Sequence, residues 1–411
     1  MSDLRQAVDD GETGDRRSGS SPLARTWERL EPLRIGPLKE GAFTSKLHTE
    51  RTAAQLGLAL GVGFAVCFVT GLISHGIQSP PAWFLWPSRP FNLYRITQGL
   101  HVATGLATIP LLLAKLWTVF PKLFTWPPVE NAAHGLERLS LLPLVGGSVF
   151  LLMSGLNNIA LWYPWRFFFP AAHFWAAWIT IGALIVHIGA KATITRAALR
   201  RPKPSEITPA PEGALSRRAF LGAVAASAAV VTVATVGETF GPLRGISVLA
   251  PRDPAIGPQG FPVNKTARSA GVTSSAIDPA WRLRVDGKVR RALSLSLSDL
   301  KAMEQRVINL PIACVEGWSA TATWEGVPVR ALLAMAGARE DAEVGAESIQ
   351  KRGLYRRSEL NRLHAADPDT LIALRVNGEP LHIEHGFPAR LIGPNRPGVM
   401  QTKWLGRLRV L

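Results

Sequence analysis

Apolar runs without a single charge divide the first 240 residues into a regular pattern. Residues 52–74, 96–114, 139–165, 167–190 and 219–237 contain no Asp, Glu, Lys or Arg. At 1.5 Å per residue, about 20 residues cross a hydrocarbon core of ~30 Å, so each run is long enough to span a bilayer as a helix. The fifth, rich in Ala and Val and only just long enough, is the weakest signal. Residues 238–260 are rich in Pro and Gly and read as a linker.

Beyond residue 260 the period shortens. Residues 281–285 alternate and meet a turn at Asp286-Gly287; 292–297 alternate and lead into a short helix at Ser298-Asp299. Residues 307–313 are a strand candidate, and 327–336 read as a helix started by Pro328. Residues 371–376 and 380–383 flank Asn377-Gly378, a favourable hairpin turn, and 403–411 close the chain as a strand. The expected fold is a membrane α-helical bundle of four helices plus a fifth anchor helix, followed by a mixed α+β, mostly β domain. The expected divisions are a mobile tail (1–50), the four-helix domain (51–198), a basic loop (199–218), the anchor (219–237), the linker (238–260) and the last domain (261–411).

Composition agrees: 47% of the 411 residues are hydrophobic and 18% charged, which excludes a disordered chain. The net charge of +16 is explained by its distribution. Lys and Arg number nine in 1–51, three in 115–138 and seven in 191–218, but only two in 75–95 and one at Arg166. Positive loops stay inside, which places the N-terminus in the cytoplasm and the last 174 residues on the extracytoplasmic side of a bacterial cell membrane. No nucleic acid is needed to account for the charge. With only Cys67 and Cys314, neither a disulfide framework nor a cysteine zinc site is expected.

The first four helices and their ends carry His75, His101, His134, His173 and His187. An imidazole in hydrocarbon is costly and usually faces a bundle interior. His173 and His187, fourteen residues apart, return to within ~40° of one face and lie ~21 Å apart along it. That spacing suits one haem ligand near each membrane surface. By depth, His101 pairs with His173 and His134 with His187, while His75 competes with His101. This stretch, through Gln98-Gly99-Leu100-His101 and the 173/187 spacing, resembles the four-helix cytochrome b superfamily, which implies one or two haems b and exchange with the quinone/quinol pool.

Ser216-Arg217-Arg218-Ala219-Phe220-Leu221, directly before the fifth run, matches most of the twin-arginine export signature. Such a signal fits a last domain that folds around its cofactor before export. Without a clear small-residue cleavage site, the fifth helix is expected to remain as an anchor.

A lone Cys314 among apolar residues would ordinarily be packing. However, Cys314-Val-Glu-Gly-Trp-Ser, with Trp324-Glu-Gly-Val-Pro328 ten residues on, resembles the molybdenum-cofactor domain of the sulfite oxidase superfamily. Its nearest likeness is the periplasmic protein-methionine-sulfoxide reductase branch. The resemblance covers about 260–411 and implies that Cys314 binds molybdenum beside the molybdopterin dithiolene. It further implies that Asn264 contacts the cofactor, that His385 and Arg390 in His385-Gly-Phe-Pro-Ala-Arg390 hold the pterin, and that Gln401, Thr402 and Lys403 hold its phosphate. Tyr355 is a further candidate near the metal. Two departures count against sulfite oxidation: Val-Glu-Gly-Trp-Ser follows the cysteine where classical sulfite oxidases have Ala-Gly-Asn-Arg-Arg, and the chain ends without their dimerisation domain.

The expected function is therefore a membrane-bound molybdopterin-dependent oxidoreductase. It would couple a two-electron oxygen-atom transfer, with a small or protein-bound sulfoxide-like substrate favoured, to quinol through b-type haem. Sulfite-type oxidation towards quinone is the alternative within that class. A non-catalytic membrane cytochrome with a binding or sensory domain is the alternative outside it.

Overall fold

The computed structural model describes residues 22–39, 41–200 and 215–411. Five helices in it are long and apolar enough to cross a membrane. They are α2 (Glu50–Gln78), α3 (Leu93–Val119), α4 (Ala132–Ile159), α5 (Phe169–Leu199) and α6 (Arg217–Val236). Most extend beyond the charge-free runs, because polar caps and charged end turns also take helical geometry. Thr49 caps α2 by accepting from the Thr52 amide, Asn131 caps α4 through His134, and Ser216 caps α6 through Ala219. A shorter helix, α1 (Pro22–Leu30), occupies part of the expected tail, and its Trp27 indole donates to the Val129 carbonyl at 2.6 Å. Residues 1–21 and most of the basic loop lie outside the described residues.

Helix α2 packs along α3 and α5, α4 packs along α5, and α6 runs along α3. Two crossings depend on glycine. A Cβ on Gly63 would lie 2.5 Å from the Thr108 methyl, and one on Gly147 would lie 2.2 Å from the Thr180 hydroxyl. A side chain at either position would force the helices apart.

The last domain holds two five-stranded sheets. One runs β2 (Leu293–Leu295), β1 (Leu283–Gly287), β10 (Leu405–Val410), β5 (Val344–Ser348), β6 (Arg357–Leu360), with only β1 and β10 parallel. The other runs β3 (Arg306–Ala313), β4 (Ser319–Pro328), β7 (Leu371–Val376), β8 (Glu379–Pro380), with β9 (Arg390–Ile392) also on β7. Strand β7 is buried on both faces. Ile372 and Leu374 join a core with Leu283, Val344 and Leu408, whereas Leu371 and Ala373 join a second with Leu310, Cys314 and Trp324.

Short helices fill the connections: α7 (Ala267–Ala270), α8 (Thr273–Ala276), α9 (Leu297–Ala302), α10 (Val329–Ala336) and α11 (Arg362–Ala366). Helix α9 starts in a capping box between Ser296 and Asp299. The sequence placed β1, β2, β3, β10 and the Asn377-Gly378 turn within a few residues, but the expected 380–383 strand shortens to β8. Strands β4, β5, β6 and β9 were not anticipated. In β4 the alternation is blurred by Gly326 and by a register shift at Glu325/Gly326.

The two parts are tied together by the loop between α2 and α3. Arg89 forms ion pairs with the buried carboxylates of Asp367 and Asp369. Asn395 sits at φ 55°, a left-handed conformation that Asn tolerates. Its side chain accepts from the Tyr94 amide at 2.6 Å and donates to the Pro87 carbonyl at 2.7 Å, while its own carbonyl accepts from the Trp86 indole at 2.9 Å.

Candidate active site

A cavity of about 660 Å³ runs from the interior of the helical bundle into the β domain, and it brings together most of the candidate residues. Its helical part is walled by α2, α3, α4 and α5, with His75, His101 and His173 on the wall; its β-domain part includes Asn264, Tyr355, His385, Arg390 and Lys403.

His101 and His173 face one another with ring centroids 6.4 Å apart. Each ring is held through Nδ1 by the helix preceding its own. His101 Nδ1 lies 2.9 Å from the Cys67 carbonyl and 3.1 Å from the Thr70 hydroxyl, and His173 Nδ1 lies 2.9 Å from the Ser154 hydroxyl. A carbonyl only accepts, so Nδ1 of His101 carries the ring proton. Because the Ser154 hydroxyl donates to the Leu151 carbonyl, it accepts from His173 Nδ1 in the same way. Both Nε2 atoms are left with a lone pair, the form that ligates a metal. His75 also lines the cavity, but its ring stacks on Phe174 at 3.8 Å. His134 and His187 are not on this wall; His134 accepts from the Glu130 amide at 3.3 Å beside the start of α4.

In the β domain, Cys314 follows β3 in a tight turn closed by Cys314 N to Trp318 O (2.9 Å) and Gly317 N to Cys314 O (3.2 Å). Its sulfur accepts from the Asn264 amide at 3.0 Å and the Glu316 backbone N–H at 3.4 Å. Burial pushes the thiol pKa up, with the Glu316 carboxylate adding to the shift. A free thiol here stays protonated, and a metal would have to displace that proton. Cys314 is not itself on the cavity wall, but Val315, Glu316 and Asn264 are.

The cations form the other half of the site. Arg390 is 5% exposed, its Nη1 donates to the His385 carbonyl at 3.2 Å, and its Nε has no partner. Burial pulls it down to about 9. Lys403 donates to the Lys265 and Glu384 carbonyls at 2.7 and 2.8 Å, and burial, followed by Arg390, pulls it down to about 7. Neither makes an ion pair among the described residues. Buried cations that face the cavity with no carboxylate paired to them call for an anionic ligand, and a phosphate supplies one. His385 stacks on Phe261 at 3.8 Å and bonds the Pro258 carbonyl through Nε2; burial, then Arg390, lowers it to about 3, so it is neutral at pH 7.

Gln401 and Thr402 also lie on the cavity wall, but their side-chain polar groups are bonded to the protein. Gln401 makes two bonds with the Gly393 backbone (2.8 and 2.9 Å), and the Thr402 hydroxyl pairs with that of Ser358 at 2.7 Å. Their side chains shape the loop that carries Lys403.

The chain's C-terminal part, residues 270–411, matches the family model described as the oxidoreductase molybdopterin binding domain. The chain is 31% identical over 237 residues to the protein-methionine-sulfoxide reductase catalytic subunit MsrP of Gluconobacter oxydans, covering 51% of this chain and 74% of that protein. The chain belongs to the molybdopterin-binding oxidoreductases. It is 33% identical over 132 residues to the putative protein-methionine-sulfoxide reductase subunit YedZ1 of Azospira oryzae, covering 32% of this chain and 49% of that one. Mouse mitochondrial sulfite oxidase is 31% identical over 162 residues, covering 33% of this chain and 30% of that enzyme. The chain thus spans less than half of the latter two relatives. It is a molybdenum-dependent oxidoreductase. The buried, uncompensated Arg390 and Lys403 fit the anionic cofactor of this family.

Sequence reasoning noted Glu316 only as a departure from sulfite oxidases. It is 9% exposed, lines the cavity, accepts from the Trp318 indole at 3.0 Å and lies 3.9 Å from Arg252. Burial raises its pKa. The signal was its place two residues after the cysteine, on the same turn. Tyr355, which sequence alone could not align, lies on the wall and donates to Gln78 at 3.3 Å.

Proposed function

We propose that this oxidoreductase reduces a sulfoxide-like substrate on the extracytoplasmic face of a bacterial membrane, with electrons drawn from quinol through a haem b between His101 and His173. The observation that carries the reading is the single cavity shared by those two imidazoles and the molybdopterin-site residues. The haem fits what is present: two imidazoles with bare Nε2 atoms facing each other across an apolar bundle interior.

Bound molybdenum supplies two-electron oxygen-atom chemistry, and the chain's own residues supply the rest. Cys314 is placed to give a thiolate, soft enough to suit that metal. Asn264 positions the sulfur through its amide, and Arg390 and Lys403 hold the phosphate of the pterin. His385, neutral, offers hydrogen bonds and shape without adding another buried charge. Glu316, whose burial favours its protonated form, is placed to deliver a proton as the S=O bond breaks; the second proton comes from solvent, and water leaves. The turn after Cys314 lacks the paired arginines that would hold a sulfite dianion, which favours a neutral S=O group.

The reading extends to topology. The loop joining α2 and α3 docks on the exported domain, the fifth helix tethers it, and Arg217-Arg218 at the start of α6 acts as the twin-arginine signal. Metal analysis tests the enzyme reading. Cys314→Ser in the full chain should lose molybdenum and substrate turnover while the b-type haem spectrum persists. Unchanged molybdenum content would reject Cys314 as its ligand.

A further inference from the structure

The membrane bundle repeats itself. In α3, His101, Thr108 and Lys115 follow at intervals of seven, and in α5, His173, Thr180 and His187 do the same. The preceding helices repeat in step, offset by 84 residues: Gly63, Thr70 and Gly71 in α2 answer to Gly147, Ser154 and Gly155 in α4. The equivalence is structural. Gly63 admits Thr108 as Gly147 admits Thr180, and Thr70 meets His101 Nδ1 as Ser154 meets His173 Nδ1. Gly71 and Gly155 each pass beside the Cε1 edge of the matching histidine, at 3.2 and 3.8 Å from where a Cβ would stand.

The repeat fails at one level. Fourteen residues, about 21 Å, beyond the facing histidines it places Lys115 opposite His187. The Lys115 ammonium is committed elsewhere: it donates to the Ala53 carbonyl in the first turns of α2 at 2.6 Å, passing Gly57, where a Cβ would stand 3.2 Å from Nζ. Beside it, Leu56 and Ala114 are buried against Val224 of α6. The cavity wall reaches Ile109 in α3 and Leu184 in α5, so it stops short of both Lys115 and His187.

We propose that the bundle holds one haem, at the level of His101 and His173 next to the molybdopterin domain, and that Lys115 seals the far level against a second. This rests on the haem reading above and decides where electrons enter. Quinol must be oxidised within reach of the outer haem, in the outer half of the bilayer. It gives up two electrons and two protons there; the electrons pass singly through the haem, and an S=O group takes up two electrons and two protons to give the sulfide and one water. No electron then crosses the membrane.

Haem and molybdenum are counted in the purified full chain by the pyridine haemochrome spectrum and by metal analysis. One haem per molybdenum, a single one-electron wave in a redox titration, and an unchanged haem content in His187→Ala support the proposal. His101→Ala and His173→Ala should each lose the haem while molybdenum stays bound, which shows that the exported domain is still folded. Two haems per chain, or half the haem lost in His187→Ala, would overturn the single-haem proposal and leave the haem reading standing. No haem in the wild-type chain would reject both.

Discussion

The side-chain amide of Asn158 donates to the backbone carbonyl of Val315 at 3.1 Å, and so joins the end of α4 to the residue after Cys314. Asn158 lies one turn beyond Ser154, which holds His173, and Tyr163 fixes its amide by donating to Oδ1 at 2.9 Å. Gln98, three residues before His101, reaches the same carbonyl at 3.4 Å. Each facing histidine is thus connected to the cysteine turn by a short bonded path, one from α3 and one from α4.

If these contacts set the distance between the two centres, removing both loosens the contact without emptying either site. Gln98→Leu with Asn158→Leu leaves the Val315 carbonyl without its two partners, a cost of about 1–3 kcal/mol. Haem and molybdenum contents should stay at wild-type values while transfer from reduced haem to the molybdenum domain, followed by stopped-flow absorbance, slows by roughly tenfold or more. An unchanged rate would mean that the junction lies elsewhere.

The hydroxyls behind the histidines give a second expectation. Thr70 and Ser154 orient rings that they do not replace as ligands, and such outer partners typically cost about 10–100-fold in metal affinity when removed. Thr70→Val and Ser154→Ala should weaken haem retention in that range and shift the haem midpoint potential. The effect should be smaller for Thr70→Val, because the Cys67 carbonyl still holds His101. Equal retention in both variants and wild type would deny the hydroxyls this role.

Lys403 gives a pH signature. Its pKa falls from 10.5 to about 7 in the folded chain without cofactor. Between those values the unfolded chain binds more protons than the folded one, so stability rises as pH increases from about 7 and levels off near 10.5. Arg390, pulled to about 9, adds to the rise above that pH, so the Lys403 effect is cleanest between 7 and 9. Thermal unfolding of the full chain, made in cells lacking molybdenum cofactor, should show that rise. Lys403→Met should flatten it, and so should bound cofactor, whose phosphate favours the charged lysine. A flat profile for the cofactor-free wild type would contradict the buried-cation account.

The helical half was largely legible in the sequence because long charge-free apolar runs fold as helices; its boundaries moved by several residues, outward where end turns carry charge and inward at α4, which stops at Ile159. That His101 and His173 lie at one level and face one another was also readable, from depth and spacing. At the level of His187, depth alone suggested His134, and the repeat that sets Lys115 at that level shows up only once Gly63 is seen against Thr108 and Gly147 against Thr180. In the β domain, β5 and β6 were missed because Gly345 and several charged residues interrupt their alternation. The motif around Cys314 was read from resemblance, but the turn that buries its sulfur under Asn264 is a tertiary feature, with 50 residues between the two. Docking through Arg89, Asn395 and Val315 had no sequence signal at all, since each partner lies hundreds of residues away along the chain.

The central claim is that electrons pass from haem to a sulfoxide-like substrate through the molybdopterin domain. It is tested most directly by reducing the purified full chain anaerobically with reductant supplying two electrons per chain, the number one S=O group consumes, and then adding methionine sulfoxide or dimethyl sulfoxide. The account predicts rapid reoxidation of the haem bands with formation of the sulfide, and no reoxidation in Cys314→Ser. Haem that stays reduced with every sulfoxide, but is reduced from the oxidised state by sulfite, would contradict it.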